Sequence, residues 1–206
     1  MLISHQRQFI FIHIYKNAGT SISNALLSFT APSWQLKTNR LWKKLGVTYL
    51  DVNPYHAHST ASELIEKIGP YTFDKYFSFA IVRNPWDWQV SLYTFMRQDK
   101  NHYQHELAQS FRNFDEYLNW RCSYEVHYQK DFVYSKDGAQ LVDFIGRYEN
   151  LERDFSIICS RIGVCTSLPK LNVSKTRHYR TYYNDKTVQM VANTFAPDIQ
   201  LFGHDF

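Results

Sequence analysis

QFIFIHIYKNAGTSISNALL, residues 8–27, changes from one hydrophobic pattern to another across a short loop. Its first part, Gln8–Ile14, is rich in Phe and Ile, which is typical of a buried strand. The apolar residues after the loop recur with the spacing of one helix face; they are Ile22, Ala25, Leu26 and Phe29. We therefore predict a strand, a tight loop and a helix, with Thr20 or Ser21 as the helix cap.

Two further segments of the sequence also predict a strand followed by a helix. VTYLDV, residues 47–52, is typical of a short strand, and Thr60 with Glu63 predicts a capping box at the start of a helix. KYFSFAIVRNP predicts a strand that ends at Arg83, and Pro85 suits the first turn of the next helix. We expect an α/β, three-layer, P-loop-like fold in which a short central parallel sheet is flanked by helices. Such sheets bind ligands at the carboxyl ends of their strands, where the loops of unusual composition lie.

The second half of the chain carries weaker signals. FVYSKDGAQLVDFIGRYENL alternates apolar and polar residues around Asp137-Gly138, which predicts a hairpin. Apolar residues at helical spacing between 151 and 162 predict another helix, and the last helix begins at Asn184 or Asp185.

Composition narrows the class of protein. The length of 206 residues suggests one domain, residues 1–206. The net charge of +4 comes without a dense basic stripe, so we expect no nucleic-acid partner.

The odd count of three cysteines favours a reducing compartment, although a local bridge between Cys159 and Cys165 stays open. The N-terminal apolar segment is too short to span a bilayer, so we expect no stable membrane insertion. We therefore expect a cytoplasmic protein, or a catalytic domain excised from a longer protein. Composition does not indicate an oligomeric state.

The loop before the first helix has the composition of an anion site. A helix N-terminus offers unpaired backbone N–H groups, and Gly19 lets the backbone approach a ligand closely. The candidate binding residues are Lys16, Asn17, Ala18, Gly19, Thr20 and Ser21. The alternative is a tight turn whose Lys16 is only solvated. The loop is not the nucleoside-triphosphate P-loop, because its lysine precedes the glycine.

Two segments resemble the sulfotransferases that use 3′-phosphoadenosine 5′-phosphosulfate (PAPS), and most of all the branch of carbohydrate O-sulfotransferases and their bacterial relatives. FIFIHIYKNAGTSI resembles the loop that binds the 5′-phosphosulfate, and FAIVRNPWDWQVSLYTFM resembles the segment that binds the 3′-phosphate. The resemblance implies that Arg83 and Ser91 grip this phosphate, and the planar fork of Arg suits that task. The alternative is an ion pair between Arg83 and Asp87, with Ser91 merely helical.

The resemblance also indicates a general base. In YHAHSTASEL, His58 occupies a position similar to the catalytic base of the glycan-sulfating branch, and His56 would orient the acceptor or the base. Histidine suits this role because its pKa lies near the working pH. A metal site at this His-x-His pair is the weaker alternative, since no third ligand has clear spacing. We interpret His13, in the first strand, as a core histidine.

The segment LNVSKTRHYRTYYN resembles the late loop that closes over the nucleotide in this family. The resemblance implies that Lys175, Arg177 and Arg180 reach its phosphates. The alternative is a solvated basic loop.

Together these features predict a sulfotransferase. It would move a sulfuryl group from PAPS to a hydroxyl of a glycan or another polyhydroxyl acceptor and release adenosine 3′,5′-bisphosphate (PAP). His58 would act as general base, Lys16 would stabilise charge on the bridging oxygen, and no metal would be required. The alternatives are an ATP-dependent phosphotransferase of P-loop-like fold and a non-catalytic nucleotide-binding protein.

Overall fold

The computed structural model describes residues 1–31, 56–169 and 177–206. The described strands are β1 (Leu2–Ser4), β2 (Phe9–Ile12), β3 (Phe77–Val82) and β4 (Phe144–Arg147). The described α-helices are α1 (Gly19–Leu26), α2 (Ala61–Ile68), α3 (Pro70–Asp74), α4 (Pro85–Gln98), α5 (His105–Ser110), α6 (Phe114–Tyr124), α7 (Leu151–Arg161), α8 (Asp185–Thr194) and α9 (Ala196–Phe202). Short 3₁₀ turns cover Leu27–Phe29, Lys130–Phe132, Tyr148–Asn150 and Tyr179–Tyr182. The strand predicted at residues 47–52 lies outside the described residues.

The four described strands form one sheet in the order β1-β2-β3-β4. β2, β3 and β4 run parallel, whereas β1 pairs antiparallel with β2 and makes the sheet mixed. Phe11 lies opposite Phe79, and both side chains pack in one core with apolar residues of α1 and α7. The β2 residues that point to the other face, Ile10 and Ile12, are also buried. The predicted α/β fold with a small sheet flanked by helices is confirmed.

The hairpin predicted around Asp137-Gly138 is present in this described segment only as a short turn. Tyr134 and Gln140 form an antiparallel bridge, and further backbone hydrogen bonds join the two sides of the turn, including that from Leu141 N to Val133 O (2.8 Å). The chain then continues into β4, which pairs in parallel with β3. The Asp143 carboxylate directs this pairing, because it accepts hydrogen bonds from the backbone N (2.7 Å) and the hydroxyl (2.8 Å) of Ser78. Alternation predicted a strand correctly but could not identify its partner.

Two of the predicted helix starts are confirmed by their caps. At α2, the Thr60 hydroxyl accepts from the Glu63 backbone N (3.2 Å) while the Glu63 carboxylate accepts from the Thr60 backbone N (3.0 Å). Asn184 forms a similar reciprocal pair with Thr187 at the start of α8. Among the described residues, no helix combines the length and the apolar character that a bilayer crossing requires.

The chain divides into two compact units. The first spans residues 1–82 and 131–171 and contains the whole described sheet. The second spans residues 83–130 and 172–206, and its described regular structure is helical. Buried aromatic rings form much of the second unit's core, including the edge-to-face pair of Trp88 and Phe195. That residues 1–206 act as a single sulfotransferase domain stays a prediction.

A buried carboxylate organises part of the second unit. Asp198, in α9, is fully buried and accepts hydrogen bonds from the backbone N atoms of Gln129 (2.8 Å) and Lys130 (2.9 Å). The side chain of Gln129 in turn accepts from the backbone N of Arg83 (2.9 Å) and donates to its backbone O (2.7 Å). Asp198 therefore positions Arg83 through a single intermediate residue.

Replacing Asp198 by alanine should destabilise the protein strongly. Two buried N–H groups would lose a charged acceptor, so we expect the free energy of unfolding to fall by about 3 kcal/mol. Urea denaturation measures this change. Asp185→Ala is the matched control, because Asp185 is also in the first turn of a helix but is exposed, and it should cost under about 1 kcal/mol. Equal losses in the two variants would contradict the role given to Asp198.

Candidate active site

The loop between β2 and α1 has an unusual backbone. Lys16 (φ 64°) and Ala18 (φ 60°) both adopt the left-handed conformation, which costs a non-glycine residue roughly 1–2 kcal/mol. Ala18 is the N-cap of α1, and its methyl group cannot accept a hydrogen bond. The predicted cap at Thr20 or Ser21 is therefore wrong, because both residues lie inside α1. The first N–H groups of the helix thus have no side-chain cap, as an anion site requires.

Asn17 holds this loop against the sheet. Its side chain is 1% exposed, and Nδ2 donates a 2.8 Å hydrogen bond to the backbone O of Ile81 in β3. Lys16 is half-buried, Ser21 is buried and Thr20 is exposed. Asn17 is one of the six predicted binding residues, and its side-chain amide therefore anchors the loop. The backbone N–H of Asn17, rather than its side chain, is the group suited to bind an anion. Left-handed residues within a turn can form a concave set of N–H groups that suits a tetrahedral anion.

His13, directly after β2, packs on the start of α1. A Cβ atom added at Gly19 would lie 1.7 Å from the imidazole Nε2, so the ring occupies the space of a side chain there. The ring also stacks on Phe11, with 5.7 Å between the ring centroids. Burial lowers the pKa of His13 to about 3, and the positive charge of nearby Lys16 contributes to this shift. His13 is therefore neutral at pH 7, and Gly19 is required by this packing.

His58 lies beside His13, with 4.7 Å between the ring centroids. Its Nδ1 is 3.0 Å from the backbone O of His13, and because a carbonyl only accepts, Nδ1 carries the proton. The lone pair of the neutral ring therefore lies on Nε2. Partial burial lowers the pKa of His58, although the hydrogen bond to His13 acts in the opposite direction. The ring is thus neutral at pH 7 and can accept a proton at Nε2.

A shallow depression of about 250 Å³ adjoins this ring. Its lining residues are all polar or charged: His56, His58, Ser59, Glu63 and Lys67. The structure therefore brings His56 and His58, the two predicted histidines, to one surface feature, just before the capped start of α2. Within residues 1–31, 56–169 and 177–206, no three His, Cys, Asp or Glu side chains are grouped closely enough to hold a metal ion.

Arg83, in the second unit, is buried at 8% exposure. Its Nε donates to a carboxylate oxygen of Asp87 at 2.8 Å, so the ion pair considered as the alternative is present. This contact uses one of the five N–H donors of the guanidinium and sets the direction of its plane. Ser91 is half-buried in α4, one helical turn beyond Asp87 and hence on the same face. Binding of the 3′-phosphate by Arg83 and Ser91 stays a prediction.

The late basic segment is described only in part. Lys175 lies outside the described residues, and Arg177 is exposed. The guanidinium of Arg180 lies over the rings of Phe206 (5.4 Å) and Tyr179 (5.8 Å). These ring contacts hold the side chain of Arg180 within the second unit, and nucleotide binding by the three cations stays a prediction.

Two residues that matter to this geometry were not identified as such from the sequence. Gln129 holds both backbone groups of Arg83, and His13 supplies the carbonyl that fixes the tautomer of His58. The local sequence around these two residues does not reveal their roles, because each of them contacts a residue 45 or 46 positions away.

The contact between His13 and Gly19 can be tested with a double-mutant cycle. Gly19→Ala should lower the free energy of unfolding by about 1–3 kcal/mol, because the new methyl group displaces the imidazole of His13. In a His13→Ala background the same change should cost under about 1 kcal/mol, since the space is then empty. Thermal or urea unfolding of the four proteins measures the coupling. Additive effects would contradict the packing described here.

Comparison with known proteins identifies the family. The sequence pattern of the sulfotransferase family matches residues 1–205. An uncharacterized protein of Archaeoglobus fulgidus is 33% identical over 120 residues, which are 55% of this chain and 91% of that protein. The fold is similar to that in the crystal structure of mouse sulfotransferase SULT7A1 complexed with PAP. The TM-score is 0.58 at 12% identity, and the match covers 97% of this chain and 87% of the mouse chain. Because the family match spans almost the whole sequence, this protein belongs to the sulfotransferase family.

Proposed function

We propose that this protein transfers a sulfuryl group from PAPS to a hydroxyl of a glycan or another polyhydroxyl acceptor, with His58 as general base. Membership of the sulfotransferase family supports the reaction class, and the similar fold of a mouse protein complexed with PAP supports the nucleotide. The observation that carries the proposal is the hydrogen bond from His58 Nδ1 to the His13 carbonyl. It leaves a neutral Nε2 able to take a proton, next to the loop that precedes α1.

The donor would be held at both ends by residues of this chain. Lys16 and the backbone N–H groups of residues 17–21 bind the 5′-phosphosulfate, because the uncapped helix start and the lysine both attract negative charge. Arg83 and Ser91 bind the 3′-phosphate. The Asp87 contact keeps the guanidinium in one orientation, so less side-chain freedom is lost on binding. Lys175, Arg177 and Arg180 close over the nucleotide.

The proposed chemistry follows from the tautomer of His58. Nε2 removes the proton of the acceptor hydroxyl as that oxygen attacks sulfur in line. The bond between sulfur and the bridging phosphate oxygen breaks, and its electron pair leaves with PAP. Lys16 and the loop N–H groups stabilise the charge that develops on the bridging oxygen. Fixed protein donors thus supply the charge stabilisation in this proposal, and no step uses a metal.

The acceptor would occupy the depression beside His58. Its lining of imidazole, hydroxyl, carboxylate and ammonium groups suits a polyhydroxyl compound, which needs several donors and acceptors. His56, exposed in the same depression, would orient the acceptor or the base. The predicted cytoplasmic location is kept in this proposal, because the three cysteines are all free.

The nucleotide assignment predicts selective binding of PAP. We expect PAP to raise the melting temperature of the protein more than ATP with Mg²⁺ does. We also expect Arg83→Ala to weaken PAP binding by about 2–3 kcal/mol, because the contact with the phosphate is lost. Arg112→Ala is the matched control, because Arg112 also pairs with a carboxylate four residues later but its side chain is 86% exposed. Thermal shift and calorimetric titration measure both effects. Greater stabilisation by ATP with Mg²⁺ would favour a phosphotransferase, and an unchanged PAP dissociation constant in Arg83→Ala would contradict binding of the 3′-phosphate by Arg83.

The base assignment predicts a pH effect. Protonated His58 cannot accept a proton, and the pKa of His58 is lowered, so kcat/KM should fall only as pH drops below about 6.5, the ordinary histidine value. His58→Ala should retain PAP binding and lose turnover by about 100-fold or more. The readout is sulfate transfer from labelled PAPS onto a panel of glycans and small alcohols.

His127→Ala serves as the control for this experiment, because the imidazole of His127 is 56% exposed and lies 3.7 Å from the Glu125 carboxylate. It should keep both turnover and the pH profile of the parent protein. Unchanged turnover in His58→Ala would remove His58 as base. PAP binding without sulfate transfer to any acceptor would favour a non-catalytic nucleotide-binding protein.

A further inference from the structure

A second cavity, of about 500 Å³, lies against α7 in the first unit. Residues of the helix between Glu152 and Ser160 form one wall, and the segment 164–168 forms the other. Cys159 and Cys165 both line it, one from each wall. The proposed transfer reaction uses neither of these residues.

The end of α7 explains why the two cysteines share this cavity. The backbone N of Val164 donates to the O of Cys159 (3.0 Å), and the N of Gly163 donates to the O of Ser160 (3.3 Å). Gly163 is left-handed, with φ 65°. This pair of bonds and the left-handed glycine form a Schellman motif, which ends the helix and reverses the chain. The reversal returns Cys165, one residue after Val164, to the last turns of α7.

The two thiols differ in their surroundings. Cys159 is 6% exposed and packs in the hydrophobic core with Phe155 and Ile158, whereas Cys165 is exposed. Burial raises the pKa of the Cys159 thiol, and the nearby Cys165 thiol raises it further. Both thiols are free. A solvent reagent therefore reaches Cys165 first, and Cys159 is a sheltered second thiol.

We propose that Cys159 and Cys165 form a thiol–disulfide exchange site for low-molecular-weight disulfides of the glutathione type. The Cys165 thiolate attacks one sulfur of the small disulfide, forms a mixed disulfide and releases one small thiol. The Cys159 thiolate then attacks the Cys165 sulfur and releases the second small thiol. The protein dithiol loses two electrons and two protons, and the small disulfide gains both.

The product would be a reversible internal disulfide that ties segment 164–168 to α7 across the cavity. To form it, the two side chains that line the cavity would approach each other, while the Schellman motif fixes the turn of the backbone between them. The exposed thiol makes the bridge accessible to reduction, as in regulatory rather than structural disulfides. This proposal is independent of sulfuryl transfer.

The test uses the full chain, reduced and then freed of reductant. Oxidised glutathione is added in increasing ratio to reduced glutathione, the reaction is quenched with N-ethylmaleimide, and the intact mass is measured. We expect the number of maleimide labels to fall from three, one for each cysteine, to one at Cys122. No glutathionyl group should remain, and dithiothreitol should restore all labels.

Three variants identify the sulfurs. Cys122→Ser should still lose two labels, because Cys122 belongs to the second unit and takes no part. Cys159→Ser should accumulate one glutathionyl group on Cys165, since the resolving thiol is missing. Cys165→Ser, a change at an exposed position, should react at least 10-fold more slowly. A stable glutathione adduct on Cys165 in the parent protein, or equal loss of labels in Cys165→Ser, would overturn the proposal.

Discussion

The imidazole of His13 occupies the space where a side chain at residue 19 would lie, and much of the candidate active site depends on this contact. The ring stacks on Phe11, which lies in β2. It also packs against Gly19, the first residue of α1. The carbonyl of His13 holds His58. One half-buried, neutral histidine thus contacts both the start of α1, after the candidate anion-binding loop, and the candidate base.

Charge and burial are combined differently in the second unit. There the carboxylate of Asp198 is fully buried and accepts hydrogen bonds from two backbone N–H groups. Burying a carboxylate is costly unless it is hydrogen-bonded, so this arrangement fixes the path of the backbone at Gln129 and Lys130. Gln129 then fixes the backbone of Arg83, while Asp87 orients its side chain. The cation proposed to bind the 3′-phosphate is therefore preorganised at both its main chain and its side chain.

The sequence predicted the elements that local patterns specify. The buried strands β2 and β3 and the capped helices α2 and α8 were identified because hydrophobic runs and cap residues act within a few positions. The partner of β4 could not be predicted, because a distant residue decides it. After the short turn at Asp137-Gly138, the Asp143 carboxylate binds Ser78, 65 residues away, and β4 pairs with β3. The cap of α1 was misplaced because a left-handed alanine, which no propensity favours, precedes the helix.

For the site, the sequence by itself determined the kinds of chemical groups: a lysine and a glycine before a helix, a His-x-His pair, and an arginine after a strand. Those groups predict an anion site, a general base and a second phosphate site, because the side-chain types fix which charges and proton acceptors are available. Only the tertiary structure decided that Asn17 anchors the loop through Ile81, that Arg83 pairs with Asp87, and that His58 carries its proton on Nδ1. The physical reason is that protonation and hydrogen-bond geometry depend on which groups meet at about 3 Å, and the residue types alone do not show which of the possible contacts forms.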